Sequence, residues 1–235
     1  MNHLSEETTE DGIERVTENS FHDFDLEKEI KNLCDTLVKK YFEDRKYIES
    51  KVKQWGDALL EDLDFFCQKK KKYKFYLCLR IETKKSNSVY LLRMLRNKKQ
   101  DGNFDFNYKM EFFNIYFEIL YITKGKINKT INFDINVFQG KMKKIISNLI
   151  DERTFNYKKC KEYGHFFLDD SKKNINLIDP NLYYFCPLIM DSIPKNFAFC
   201  YKLSNITSKD IFFHVEYSTK DISFVIYYFI FHENT

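Results

Sequence analysis

Residues 51–81 recur 108 positions further along the chain. Trp55-Gly56 matches Tyr163-Gly164, and Cys78 matches Cys186. Across Lys51–Ile81 and Lys159–Ile189, with no gap, Lys51/Lys159, Lys53/Lys161, Leu60/Leu168, Asp62/Asp170, Tyr76/Tyr184 and Ile81/Ile189 are also identical. Trp55/Tyr163, Leu59/Phe167, Glu61/Asp169, Phe75/Tyr183 and Leu77/Phe185 keep their type. A chain carrying one small unit twice is expected to fold as an internal pair. Such pairs point to binding more than to catalysis.

The hydropathy pattern repeats with the residues. Leu26, Ile30, Leu33, Cys34, Leu37, Val38 and Tyr41 recur at three- and four-residue steps, one buried helical face with Asp25 as its expected cap. A second helix is expected over Ile48–Gln68, burying Val52, Trp55, Leu59, Leu60, Leu63, Phe66 and Cys67. Strands follow at Tyr73–Thr83, Ser88–Arg96, Phe104–Lys109 and Phe112–Ile122, with a turn at Asn97–Asn103. In the second copy, Phe133-Asp134-Ile135 echoes Phe24-Asp25-Leu26. Ile145, Ile146, Leu149 and Ile150 match Leu33, Cys34, Leu37 and Val38 at an offset of 112, which predicts a connection four residues shorter. A helix over Asn156–Lys173 and strands at Leu182–Met190, Asn196–Ser204, Ile211–Tyr217 and Ile222–His232 complete it. The stretch Ile131–Val137 alternates and could also be extended. Pro187 falls inside a strand, where its missing N–H suggests an edge or a bend.

This order divides the chain into an acidic tail predicted to be disordered (residues 1–22), a first domain (23–124) and a second (125–235). The 235 residues, 43% hydrophobic, suffice for two domains of about 110 residues. A net charge of +3 gives no global case for nucleic acid. The six cysteines form no C-x-x-C pair and are expected to be reduced core residues of an intracellular protein. Met1–Glu7 has neither the basic start nor the apolar core of a signal peptide. The longest apolar run, Phe224–Phe231, is eight residues where a membrane helix needs about 20. No membrane partner is expected, and the location expected is the cytoplasm.

Lys51-Val52-Lys53-Gln54-Trp55, then Leu59-Leu60-Glu61-Asp62-Leu63, then Tyr73-Lys74-Phe75-Tyr76 and the Asp101-Gly102 turn resemble a Tctex-type dynein light chain over about residues 24–122. The second copy matches less well: Tyr163 stands for Trp55, and the strand opening Leu182-Tyr183-Tyr184-Phe185 lacks the Lys. The resemblance implies an α+β fold: two helices on a four-stranded antiparallel meander, twice, the copies forming an intramolecular pseudo-dimer. It also implies that Val89–Leu95 and Phe197–Leu203 cross to the other copy's sheet. A dynein intermediate-chain segment, or another cytoskeletal protein, would then add as a strand along them, near Val89, Tyr90, Leu91, Leu92, Phe197, Phe199 and Tyr201. Trp55, Tyr73, Lys74, Phe75 and Tyr163 are the family-matching core. Other light chains are possible partners, and the cytoskeleton, a cilium or flagellum included, is the implied location.

No catalytic, cofactor or metal motif emerges. His3, His22, His165, His214 and His232 are isolated, and no phosphate-binding glycine loop or nucleophile elbow is present. The chain is therefore expected not to be an enzyme. Glu61-Asp62 and Asp169-Asp170 fall on a helix's polar face and read as solvated. Lys69–Lys72 is the one dense basic cluster. A solvated linker, an acidic protein partner or a nucleic-acid contact would each suit it. Three functions stay open: a light chain or adaptor, a Tctex-fold cytoskeletal scaffold without dynein, and a nucleic-acid-binding module.

Overall fold

The computed structural model describes residues 7–8, 14–15, 23–84, 88–95, 101–124, 131–193 and 197–232. Within the acidic tail these include one antiparallel pair, β1 (Glu7–Thr8) and β2 (Glu14–Arg15). The tail's expected disorder otherwise concerns residues outside those described, as do the heart of the turn at Asn97–Asn103 and the boundary after Lys124.

The three- and four-residue spacing of apolar residues yields helix α1 (Phe24–Phe42), which buries Leu26, Ile30, Cys34, Leu37, Val38 and Phe42. Its cap is Asp23 and not Asp25: Asp23 Oδ1 accepts the Leu26 N–H at 3.0 Å. Phe24 is already helical, so Asp25 lies in the first turn, where its charge favours the helix N-terminus. Helix α2 (Glu49–Cys67) packs beside α1. The second half builds α3 (Ile135–Ile150), capped by Asp134, and α4 (Tyr157–Ile178), capped by Asn156. The stretch before Ile135 is not a strand. Helix α4 continues five residues past Lys173 because Ile175 is buried, and Asn174 donates its side-chain amide to the Asp170 carbonyl at 2.7 Å.

Eight strands follow in two groups: β3 (Tyr73–Thr83), β4 (Val89–Leu95), β5 (Gly102–Lys109) and β6 (Phe113–Thr123), then β7 (Leu182–Ser192), β8 (Phe197–Ser204), β9 (Ile211–Ser218) and β10 (Ile222–His232). Gly102, expected in a turn, opens β5. The sheets run β5-β6-β3-β8 and β4-β7-β10-β9, all antiparallel. Neither is a meander. β4 leaves its own half to pair with β7, and β8 leaves its half to pair with β3. The central strands β3 and β7 thereby gain neighbours on both edges. One core lies between α1, α2 and the first sheet, a second between α3, α4 and the other sheet, and a third between the two sheets.

The repeat has a different register in each layer. Between α2 and α4 the offset is 108: Val52/Cys160, Gly56/Gly164, Leu59/Phe167, Leu60/Leu168 and Cys67/Ile175 are all buried. Between α1 and α3 it is 112, matching buried Leu26/Phe138, Ile30/Met142, Cys34/Ile146 and Val38/Ile150. The expected shorter connection is not found. Residues 43–48 and 151–156 are equal in length and place Asp44 and Glu152 alike at φ 56° and 60°. The four missing residues come out of the end of α3, which also starts one residue earlier and so has 16 where α1 has 19.

Throughout the sheets the offset is 109. Tyr73–Thr83 corresponds to Leu182–Ser192, Gly102–Lys109 to Ile211–Ser218 and Phe113–Thr123 to Ile222–His232. The exchanged strands keep the same relation: Leu79↔Cys200 in one sheet becomes Leu188↔Leu91 in the other. The identities Tyr76/Tyr184, Cys78/Cys186 and Ile81/Ile189 are thus one residue out of register. A one-residue slip turns a strand's side chains to the opposite face. Cys78 faces the other sheet, whereas Cys186 lies beneath the helices. Lys74 corresponds to Tyr183, not to Leu182.

Pro187 is not at an edge. It sits in central β7, paired with Leu92 of β4. The β7–β10 ladder skips it, passing from Ile226↔Leu188 to Phe229↔Phe185, because proline has no N–H to give.

Candidate functional site

The exchanged strands β4 and β8 are each the outermost strand of a sheet. Each is held against the other half's second helix by the same devices. A Cβ on Gly56 would come within 2.6 Å of Cys200 Sγ, and one on Gly164 within 2.5 Å of Leu91 Cδ1. Both glycines let the incoming strand lie close to the helix. Lys202 of β8 pairs with Glu61 of α2 at 2.5 Å, and Arg93 of β4 pairs with Asp169 of α4 at 2.7 Å. The repeated carboxylates are exposed, as expected of a helix's polar face, and two of them also pair with a strand of the other half. Of the other two, Asp62 accepts from Lys40 and Tyr41, and Asp170 pairs with Lys173.

Most residues expected along a peptide edge serve the interior. Val89 and Leu91 are buried under α4, while Tyr90, Phe197 and Phe199 are buried between the sheets with Leu92 packed beside them. Tyr201 alone of the seven is exposed, at 37%, and its ring lies against Phe212 and Tyr227. Trp55 and Tyr163 are half-buried and hold one contact in common: the Arg45 guanidinium lies 4.5 Å from the Trp55 ring and Arg153 4.6 Å from that of Tyr163. Arg45 and Arg153 are themselves identical at offset 108, a signal that lies just upstream of residues 51–81. Tyr73 and Phe75 are core residues. They do not join Trp55 and Tyr163 in one site.

Lys74 is buried between the halves and forms an ion pair with Asp210 at 2.7 Å, the two side chains 2% and 5% exposed. Asp210 also accepts the Thr207 N–H, and its counterpart Asp101 is buried and accepts the Thr123 N–H. The surfaces that meet between the sheets are unlike. Lys74, Arg80 and Glu118 in the first sheet stand where the second has Tyr183, Ile189 and Tyr227. In the basic cluster, Lys70 pairs with Glu29, and Lys69 and Lys72 lie over the Phe65 and Tyr73 rings.

A groove of about 510 Å³ opens along β8. Phe197, Ala198 and Phe199 form its strand wall, with Ser50 and Lys53 of α2 above. Ile189, Val225 and Tyr227 form its floor, and Glu216 of β9 stands at its mouth. Periodicity could not have found it, because it joins residues from both halves.

All six cysteines are free and buried, and burial pushes their thiols up out of the reactive range. Among the described residues no cluster of three or more His, Cys, Asp or Glu is placed to hold a metal, and no helix is long and apolar enough to cross a membrane.

No protein-family model matches the chain, and no curated protein matches it either. Function therefore rests on the site's own geometry.

Proposed function

We propose that this chain is a non-catalytic light chain or adaptor, a Tctex-like intramolecular pseudo-dimer that holds an extended segment of a dynein intermediate chain or of another cytoskeletal protein by strand addition. The observation that carries this reading is the reciprocal exchange of β4 and β8, which leaves each as an outer strand of the sheet it joins. An open antiparallel edge supplies main-chain hydrogen bonds for affinity, and neighbouring pockets supply selectivity. Covalent linkage of the halves keeps the exchange intramolecular, at an effective concentration on the order of millimolar.

The test is a native pulldown from the source cells. Stoichiometric dynein heavy and intermediate chains support the light-chain reading. Cytoskeletal proteins without dynein turn the same fold into a scaffold. The cytoplasm and cytoskeleton are the compartments this reading assigns.

A further inference from the structure

The 109-residue correspondence allows the two exchanged edges to be compared position by position. On the β8 side the groove floor is Ile189 and Val225, with Phe199 and Tyr227 beside them. On the β4 side the same positions hold Arg80, Tyr116, Tyr90 and Glu118. There the space is filled. The Arg80 guanidinium lies 4.0 Å from the Tyr116 ring and 4.7 Å from that of Tyr90, and it is anchored to Glu82 at 2.5 Å. Arg80 is 7% exposed. Two aliphatic side chains thus leave a groove open on one side, and an arginine stacked between two tyrosines closes it on the other.

Charge selects the occupant. Lys53 on the helix wall is neutralised by Asp57 at 3.0 Å. Glu216 at the mouth has no ion-pair partner among the described residues. Its counterpart on the closed side is neutral Asn107.

We infer that the chain binds a single extended peptide, along β8 only, and that this peptide carries a bulky apolar side chain for the Ile189–Val225 floor and a basic residue for Glu216. The inference rests on the strand-addition reading and adds the competent edge, the stoichiometry and the ligand chemistry. Apolar burial supplies the affinity and the carboxylate the discrimination.

The probe is a randomised synthetic decapeptide library, selected on the full chain, with enriched peptides measured by fluorescence polarisation and calorimetry. The expected peptides pair an apolar with a basic residue and bind 1:1. Ile189→Arg/Val225→Tyr, which copies the closed side, weakens them at least tenfold. Glu216→Lys, at an exposed position that does not threaten folding, weakens them about tenfold and selects acidic residues instead. Arg80→Ile/Tyr116→Val opens a second site and raises the stoichiometry to two. Equal binding to the Glu216→Lys chain, or two sites in the unaltered chain, overturns the inference and leaves strand addition standing. Enriched peptides that tolerate backbone N-methylation at every position overturn strand addition itself. A homodimer dissolved by Glu216→Lys, with no peptide enriched, would place a second copy in the groove and overturn both.

Discussion

Gly56 of α2 lies against Cys200 of β8 so closely that a methyl group on the glycine would meet the sulfur at 2.6 Å. One residue of the first half is therefore shaped by a strand that arrives from the second. Gly56→Ala would ordinarily favour an exposed helix by about 1 kcal/mol. Here overpacking costs about 1–3 kcal/mol, and net destabilisation is expected. Cys200→Ala in the same chain should restore much of the loss. Urea denaturation of the two single variants and the double variant measures this coupling.

Lys74 and Asp210 should behave as a unit. Lys74→Met leaves a carboxylate buried without its cation, and Asp210→Asn leaves the ammonium. Each is expected to cost about 3–5 kcal/mol. The double variant should lose less than the sum, and a double-mutant cycle reads the difference.

The ion pairs Arg93–Asp169 and Lys202–Glu61 are partly exposed. Asp169→Asn or Glu61→Gln is expected to cost no more than about 1 kcal/mol, less at high salt. The exchanged strands should stay in place, with amide protection across β4 and β8 unchanged. Loss of that protection would show that the pairs, and not the packing beneath, hold the strands.

Tyr73 is one of several buried tyrosines, Tyr76, Tyr90 and Tyr228 among them, whose raised pKa values destabilise the fold at alkaline pH. Burial first, and its hydrogen bond to Asp23 next, raise its pKa from 10.0 to about 12. Because the folded pKa is raised, its contribution is complete below pH 10 and is lost as pH rises toward 12. Tyr73→Phe should make the fall in stability over that range less steep by its own share, the other buried tyrosines supplying the rest, read by denaturation midpoints at pH 9 to 12. Asp23 shifts oppositely. Its bonds to Tyr73 and the Leu26 N–H lower its pKa below 3.8 against the desolvation of its site, so its contribution holds above 3.8 and fades as pH falls further.

Separate polypeptides ending and beginning in the 125–130 segment should purify as a 1:1 complex when co-expressed. Each sheet needs a strand from the other half. Either piece alone should be aggregation-prone through an unpaired central strand. Sedimentation of the pieces, alone and mixed, checks this.

The element order was legible because period decides type. The bounds Tyr73–Thr83 and Ile222–His232 follow from apolar runs and turn residues alone. The exact correspondence of the halves was not. Tyr76/Tyr184 and Cys78/Cys186 are real identities, but the second half carries one more residue between the matched helix positions and the strands, taken up in α4, which has 22 residues where α2 has 19, and aromatic strands look alike in either phase. The crossing came from resemblance and not from periodicity, since alternation reveals a strand's faces but not its neighbours. The groove joins residues as distant as Lys53 and Phe199, and the Arg80 closure joins side chains of three different strands, Arg80, Tyr90 and Tyr116; alternation along a strand does not show which strands meet.

The exchange also imposes an order of events during synthesis. β3 is complete once Thr83 has been made, but the strand that covers its edge ends at Ser204. At ribosomal rates of 5–20 residues per second, that edge waits on the order of ten seconds for β8. Through that interval the nascent first half exposes a long apolar strand. Its survival depends on chaperones, or on how soon the ribosome delivers the rest.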